Sequence, residues 1–286
     1  VKQAIKLAIA RLWQRARPGT GARLRVPVLC YHSVNDTGNA ECDPLPSALF
    51  ESHLQHLRAH YTPISLAELA DALNSGASIP PDAVVVTFDD GYRDNFEVAY
   101  PLLSQYRIPA TFFIVPGFLD GEVDLIGDPG WEAMSWENVL SMDADPLVEF
   151  GAHTQSHPIL STLSETQARH EISKSKAELQ RRLGHVIEFF AYPYGQGEHV
   201  GPAALAEVAR QQFSLACSTI WRTTHAQNER YFLNRIMITS DDTVEVLDLK
   251  LRGGFDYIYY LHRIRALALK LRNGRGVALD SAYDTR

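Results

Sequence analysis

Seven short apolar runs alternate with segments of helical periodicity along this chain, and no other feature limits its fold as strongly. The runs cover residues 26–31, 83–88, 110–115, 147–152, 188–192, 215–219 and 232–238, each rich in Val, Ile, Phe or Leu. Apolar spacing predicts helices over 47–58, 66–74, 96–105, 136–142, 165–183 and 203–211. Strands separated by helical crossovers pair in parallel, so the order predicts an α/β protein whose sheet closes as an irregular barrel. No internal repeat and no low-complexity tract interrupts the pattern.

A chain of 286 residues with 45% hydrophobic and 21% charged content can bury a sizeable core, so one catalytic domain is expected. Residues 21–243 are expected to form it, between an N-terminal amphipathic helix over 1–20 and a C-terminal helical extension over 244–286. The formal charge of −7 provides no global field for a polynucleotide, which argues against a nucleic-acid partner. Cys30, Cys42 and Cys217 form no close pair of the kind that holds zinc or runs redox chemistry, and a reducing compartment fits them best. No uncharged apolar run is long enough to span a bilayer, and the basic residues near the start are scattered instead of preceding an apolar stretch as in a secretory signal.

Both ends are basic and amphipathic. Over residues 2–16, Ile5, Ile9, Leu12 and Trp13 recur at i, i+4, i+7 and i+8, with Lys2, Lys6, Arg11 and Arg15 largely on other faces, and Pro18-Gly19 ends the helix. Near the other end Tyr257, Tyr260, Leu261, Ile264 and Leu267 keep helical spacing beside Arg263, Arg265, Lys270, Arg272 and Arg275. Such helices either pack on the domain or rest on an anionic membrane with Trp13 at headgroup depth. The expected location is accordingly cytoplasmic, peripheral on the inner membrane face.

Three segments carry chemistry. The run at 83–88 leads into Asp89-Asp90-Gly91, which places two adjacent carboxylates at the C-terminal end of a buried strand, where barrel enzymes build their sites. Adjacent like charges need a cation or strong hydrogen bonds to offset their repulsion; a turn that merely caps the next helix is the alternative. Beyond the run at 147–152 come His153 and His157, whose i, i+4 spacing can set both imidazoles on one side of a helical turn around one cation. Gly151 and Pro158 flank them, whereas His53, His56 and His60 look like exposed helix residues. The third segment ends a strand with Tyr192-Pro193-Tyr194-Gly195, a turn able to aim a backbone N–H at a reacting carbonyl.

In this order the three segments resemble the polysaccharide deacetylase family, carbohydrate esterase family four with the NodB-homology domain. The likeness runs over about residues 26 to 240. It includes Tyr31-His32-Ser33-Val34, Pro109-Ala110-Thr111-Phe112-Phe113, and the stretch from His153 to Leu163 followed by Glu171, Ser173 and Lys174. The resemblance implies a distorted (β/α) barrel of about seven strands, a zinc or other divalent transition metal held by Asp90, His153 and His157, and Asp89 as catalytic base. It implies hydrolysis of the N-acetyl group of an amino-sugar residue in a polysaccharide or glycan precursor, with a water held by the metal as nucleophile. The Tyr194 backbone N–H would share the oxyanion with the metal, and Tyr194, Pro193 and Trp136 are the expected substrate contacts.

Two departures from the family pattern stand out. Where many members carry an arginine that orients the catalytic aspartate, this chain has Ala191, and Arg235 is the candidate replacement. The late Leu-x-His motif that supplies the general acid is missing; His32 is the first candidate for that proton and His225 the second. These gaps resemble the subgroup of exopolysaccharide and cell-envelope biosynthetic deacetylases. A deacylase of O-acetyl esters or another small acyl group, and a non-catalytic carbohydrate-binding relative, are the competing readings.

Overall fold

The structure, a computed structural model, describes residues 2–16, 24–37, 44–125, 131–261 and 264. The seven expected strands form as β1 Val28–Tyr31, β2 Ala83–Phe88, β3 Ala110–Ile114, β4 Val148–Ala152, β5 Phe189–Ala191, β6 Leu215–Cys217 and β7 Ile236–Met237. All pair in parallel, in the order β7-β1-β2-β3-β4-β5-β6. The last is shorter than the apolar run at 232–238 because that run changes partner. Leu233 bridges Cys217 of β6, while Ile236 and Met237 pair with Leu29 and Cys30 of β1. One segment thus pairs with both edges of the curled sheet and draws it into a distorted (β/α) barrel.

Helices α1 Lys2–Ala16, α2 Ser47–His60, α3 Leu66–Ser75, α4 Tyr100–Tyr106, α5 Trp136–Asp143, α6 Glu165–Leu183, α7 Gly197–Arg210 and α8 Val244–Leu251 surround it. Capping boxes at Ser65/Glu68, Ser135/Asn138 and Ser164/Gln167 start α3, α5 and α6, each satisfying two amides the first turn would leave unpaired. The helix expected over 96–105 begins as a π-turn, Asn95–Ala99, before becoming α4. Pro101 has no N–H to give to the preceding turn, and the Tyr100 amide bonds the Asn95 carbonyl instead. Helix α7 starts six residues earlier than expected because a kink at Gly201, φ 75°, joins a short first turn to the predicted segment. Of the residues singled out above, Pro18, Gly19, Cys42, Arg263, Arg265, Leu267, Lys270, Arg272 and Arg275 lie outside the described residues, as do the Lys2 and Ile5 side chains.

The strand period of two divides the core. Val28, Val85, Phe113, Phe189, Ala191, Leu215, Cys217 and Leu233 face the barrel interior, packed against Ile64, Leu66, Leu69 and Leu73 of the α3 region. Leu29, Val86, Phe88, Phe112, Ile114 and Phe190 face outward to the helices. Glu149 fastens α3 to the sheet: its half-buried carboxylate accepts from the Leu66 and Ala67 amides (3.0 and 3.1 Å) and the Thr111 hydroxyl (2.6 Å). Asp89 directly continues the inward phase of Val85 and Thr87, so strand geometry alone aims it into the barrel mouth.

Candidate active site

The C-terminal ends of β1, β2, β4 and β5 carry His32, Asp89-Asp90, His153 and Pro193-Tyr194, and the structure brings these together at one mouth. After β2 the chain turns at once: Asp90 has φ 77° and Gly91 φ 85°. A left-handed aspartate is strained by about 1–3 kcal/mol and persists only where its surroundings hold it. The turn sets the Asp90 carboxylate 3.5 Å from His153 Nε2 and 3.3 Å from His157 Nε2.

The two histidines do not share a helical turn. They sit on an irregular loop in which Thr154 and His157 take φ 62° and 58°, and their rings lie 4.9 Å apart. Glu171 of α6 holds this loop, its carboxylate accepting from the Gln155 amide (3.0 Å), the Ser156 amide (2.9 Å) and the Ser156 hydroxyl (2.8 Å). Sequence reasoning noted Glu171 only as part of a matching stretch. Its role follows from contacts sixteen residues apart that no local pattern announces.

Asp90, His153 and His157 suit a metal on three observations. Asp90 Oδ1 is buried and has no hydrogen-bond partner among the described residues, an orphan that costs free energy unless a cation fills the place. His153 Nδ1 lies 2.7 Å from the Ala191 carbonyl, which can only accept; in the neutral ring this puts the proton on Nδ1 and the lone pair of Nε2 toward Asp90. The carboxylates of Asp89 and Asp90 also make the position of His153 favourable to positive charge. Burial would lower the His153 pKa, yet Asp89 and Asp90 raise it on balance, while His157, desolvated and beside His153, falls to about 4. Burial likewise pushes Asp90 up, but the imidazoles of His153, His157 and His32 bring it below the usual carboxylate range. One carboxylate and two imidazoles leave coordination positions open, as catalytic sites require.

A second group, Cys30, His32 and Asp89, has ligand atoms equally close, but its chemistry differs. Both Asp89 oxygens are engaged by Arg235, at 2.6 Å to Nη1 and 2.6 Å to Nη2, and the Cys30 thiol donates to Oδ2 at 3.4 Å. Burial holds that thiol protonated, so it is no thiolate ligand. Burial would also raise Asp89, but the adjacent guanidinium and His153 hold it down to about 2. Arg235 itself is fully buried, placed by the seam between Leu233 and Ile236, and donates further to the Ser218 carbonyl (2.9 Å) and Thr87 hydroxyl (3.1 Å). Arg235 thus makes the contact to Asp89 for which this chain has Ala191 and not an arginine in the third motif. Cys30 was missed from sequence, although the inward phase of Val28 along β1 predicts its position.

Tyr194 stands half exposed at the rim, its ring 5.0 Å from that of His157 and 5.5 Å from His199. The turn is tight: the Gly195 amide bonds the Pro193 carbonyl at 2.7 Å, with Tyr194 at φ 60° and Gly195 at φ 63°. A Cβ on Gly195 would meet the Thr219 amide nitrogen at 2.5 Å, so only glycine fits. Two expected residues lie elsewhere. The Trp136 indole N–H donates to Asp120 (2.7 Å) and its ring lies under Arg182 (4.6 Å), so it is engaged on the helical layer. His225 is buried against the Val26 carbonyl (2.7 Å), at the end of the barrel opposite the mouth.

Substituting Glu171→Gln is expected to weaken metal binding about 10–100-fold, because the loop loses a charge-assisted anchor while no ligand is touched. Titration with a competing chelator measures this; an unchanged affinity would show that the loop holds its shape without the carboxylate.

The family model described as Polysaccharide deacetylase matches residues 77–212. The poly-β-1,6-N-acetyl-D-glucosamine N-deacetylase of Staphylococcus aureus is 30% identical over 216 residues, which is 72% of this chain and 71% of that protein. A Bacillus subtilis relative named for polysaccharide deacetylation, YxkH, is 26% identical over 173 residues, 60% of this chain, and this chain spans only 57% of its length. The Streptococcus pyogenes deacetylase PplD, solved in complex with acetate, superposes with a TM-score of 0.71 at 25% identity, covering 80% of this chain and 99% of that one. This chain belongs to the polysaccharide deacetylase family, carbohydrate esterase family four with the NodB-homology fold.

Proposed function

We propose that this protein is a metal-dependent N-deacetylase that releases acetate from N-acetylglucosamine-type residues of a polysaccharide. The observation that carries the reading is Asp89: a buried carboxylate held ionised by Arg235, and itself free of any ligand role, beside a three-donor set with open positions. A binding protein has no need of a base in that place. The staphylococcal relative is named for this reaction on poly-β-1,6-N-acetyl-D-glucosamine, and PplD holds acetate, the expected product.

Asp90, His153 and His157 would hold a divalent transition metal, zinc first among them, which when bound supplies Lewis-acid polarisation of the acetamide carbonyl and activates water. Asp89 accepts the proton of the attacking water at Oδ1, which keeps a lone pair beyond the one used by Arg235, whereas Oδ2 accepts from both Arg235 and Cys30. The Tyr194 backbone N–H donates to the oxygen that becomes negative as the carbonyl carbon turns tetrahedral. His32, beside Asp89 and half buried, donates the proton that the leaving amine needs. The half-exposed Tyr194 ring, with Pro193 behind it, gives the sugar an apolar wall.

The test is acetate release by zinc-loaded protein from β-1,6-linked N-acetylglucosamine oligomers, set against an O-acetylated xylan oligosaccharide. Release from the amide substrate, abolished by chelation and restored by metal, is expected. Release from the ester alone, or from neither, overturns the proposal.

A further inference from the structure

We infer that the two terminal helical segments together form a docking surface for an anionic lipid bilayer. Among the described residues eight large apolar side chains stand exposed. Five of them lie on these segments: Ile9 (43%), Leu12 (64%), Tyr260 (42%), Leu261 (56%) and Ile264 (63%). Exposed apolar residues scattered singly are ordinary, but five on two touching segments form a patch. The segments touch through Trp13, whose ring lies 5.4 Å from Tyr260 and 6.3 Å from Tyr257. One face of α1 is also fixed to the domain, Ala10 and Leu7 packing with Val246, Leu249 and Phe255. The helix is therefore anchored through one apolar stripe and presents a second that packing among the described residues does not explain.

Charge identifies the occupant. Residues 1–35 contain seven Lys or Arg and no Asp or Glu; residues 257–279 contain five and none. The whole chain nevertheless carries −7, so along the sequence the basic charge is concentrated in the two segments that carry the exposed apolar residues. Lys6, Arg11 and Arg15 are exposed on α1, Arg11 also pairing with Glu245. Apolar side chains bordered by cations match the acyl boundary and headgroups of an anionic leaflet. A second copy of this chain meeting the same patch would set two basic rims face to face, which disfavours that occupant. No described helix is long and apolar enough to cross a membrane; the binding inferred is at the surface.

Co-sedimentation of the full chain with vesicles of equal parts phosphatidylcholine and phosphatidylglycerol, beside vesicles of phosphatidylcholine alone, tests this. The parent is expected to pellet with the anionic vesicles and to be released by salt. The Leu12→Glu/Leu261→Glu variant and, separately, the Lys6→Glu/Arg15→Glu variant should lower the bound fraction about tenfold. All four side chains are exposed or on the helix surface, and an unchanged melting temperature confirms that the fold is kept. Equal pelleting of parent and variants overturns the inference. So does a parent that stays in solution with anionic vesicles but forms a dimer that Leu12→Glu/Leu261→Glu dissociates, which assigns the patch to a second copy. Vesicle binding is read without any turnover, so the result stands apart from the acetate assay.

Discussion

Asp89→Asn is expected to lower turnover about 10²–10⁴-fold, the range for loss of a positioned general base, with metal content unchanged. Asp90→Ala is expected to do the reverse in order: metal is lost first and activity with it. The two residues are adjacent in sequence and both buried, yet their surroundings divide them. Asp89 points along the inward phase of β2 to a guanidinium that takes both oxygens, so its charge is satisfied by protein. The Asp90 turn, at φ 77°, leaves Oδ1 unpartnered between two imidazoles, so its charge calls for a cation. Metal stoichiometry after dialysis, followed by acetate release at saturating substrate, separates the cases. An Asp89→Asn protein that retains metal and turns over within a few-fold of the parent would place the base elsewhere. An Asp90→Ala protein with full metal would remove Asp90 from the ligand set.

The alternation of apolar runs and helices was enough to read the parallel sheet, because crossovers of this length leave few other topologies. It did not show how the sheet closes: residues 232–238 look like one strand, and only the structure reveals Leu233 on β6 and Ile236 on β1. The direction of Asp89 is legible from Val85 and Thr87 by strand period alone. The histidine pair is legible by spacing but not by conformation. An i, i+4 pair reads as a helical turn, whereas left-handed Thr154 and His157 reach the same convergence on a loop fixed by Glu171. Trp136 shows the opposite limit. An aromatic at a helix start looks like a sugar platform in sequence, and nothing local reveals that Asp120 and Arg182 already engage it.

Arg235→Met is expected to destabilise the fold by about 3–5 kcal/mol, the cost of removing one partner from a buried ion pair and leaving the other charge uncompensated. Arg235 is fully buried and donates to Asp89, Thr87 and Ser218, so the loss is of a charge and of the contacts that tie the seam to β2. The pH dependence carries its own sign. Asp89 is held down to about 2 in the folded parent, so its pairing contributes stability above the ordinary carboxylate pKa, and that contribution is lost as pH falls toward 2. Without Arg235, burial dominates and the Asp89 pKa rises, so the variant's deficit should be largest near neutral pH and should shrink on acidification. Denaturant unfolding of metal-free parent and variant at a series of pH values measures the difference. Adding Asp89→Asn to Arg235→Met should recover part of the loss, because the stranded charge is then gone. If instead the single variant unfolds at the parent's midpoint at neutral pH, or the double variant is no more stable than the single, then Arg235 and Asp89 are not energetically coupled. The arginine would in that case be filling the barrel without holding the base ionised.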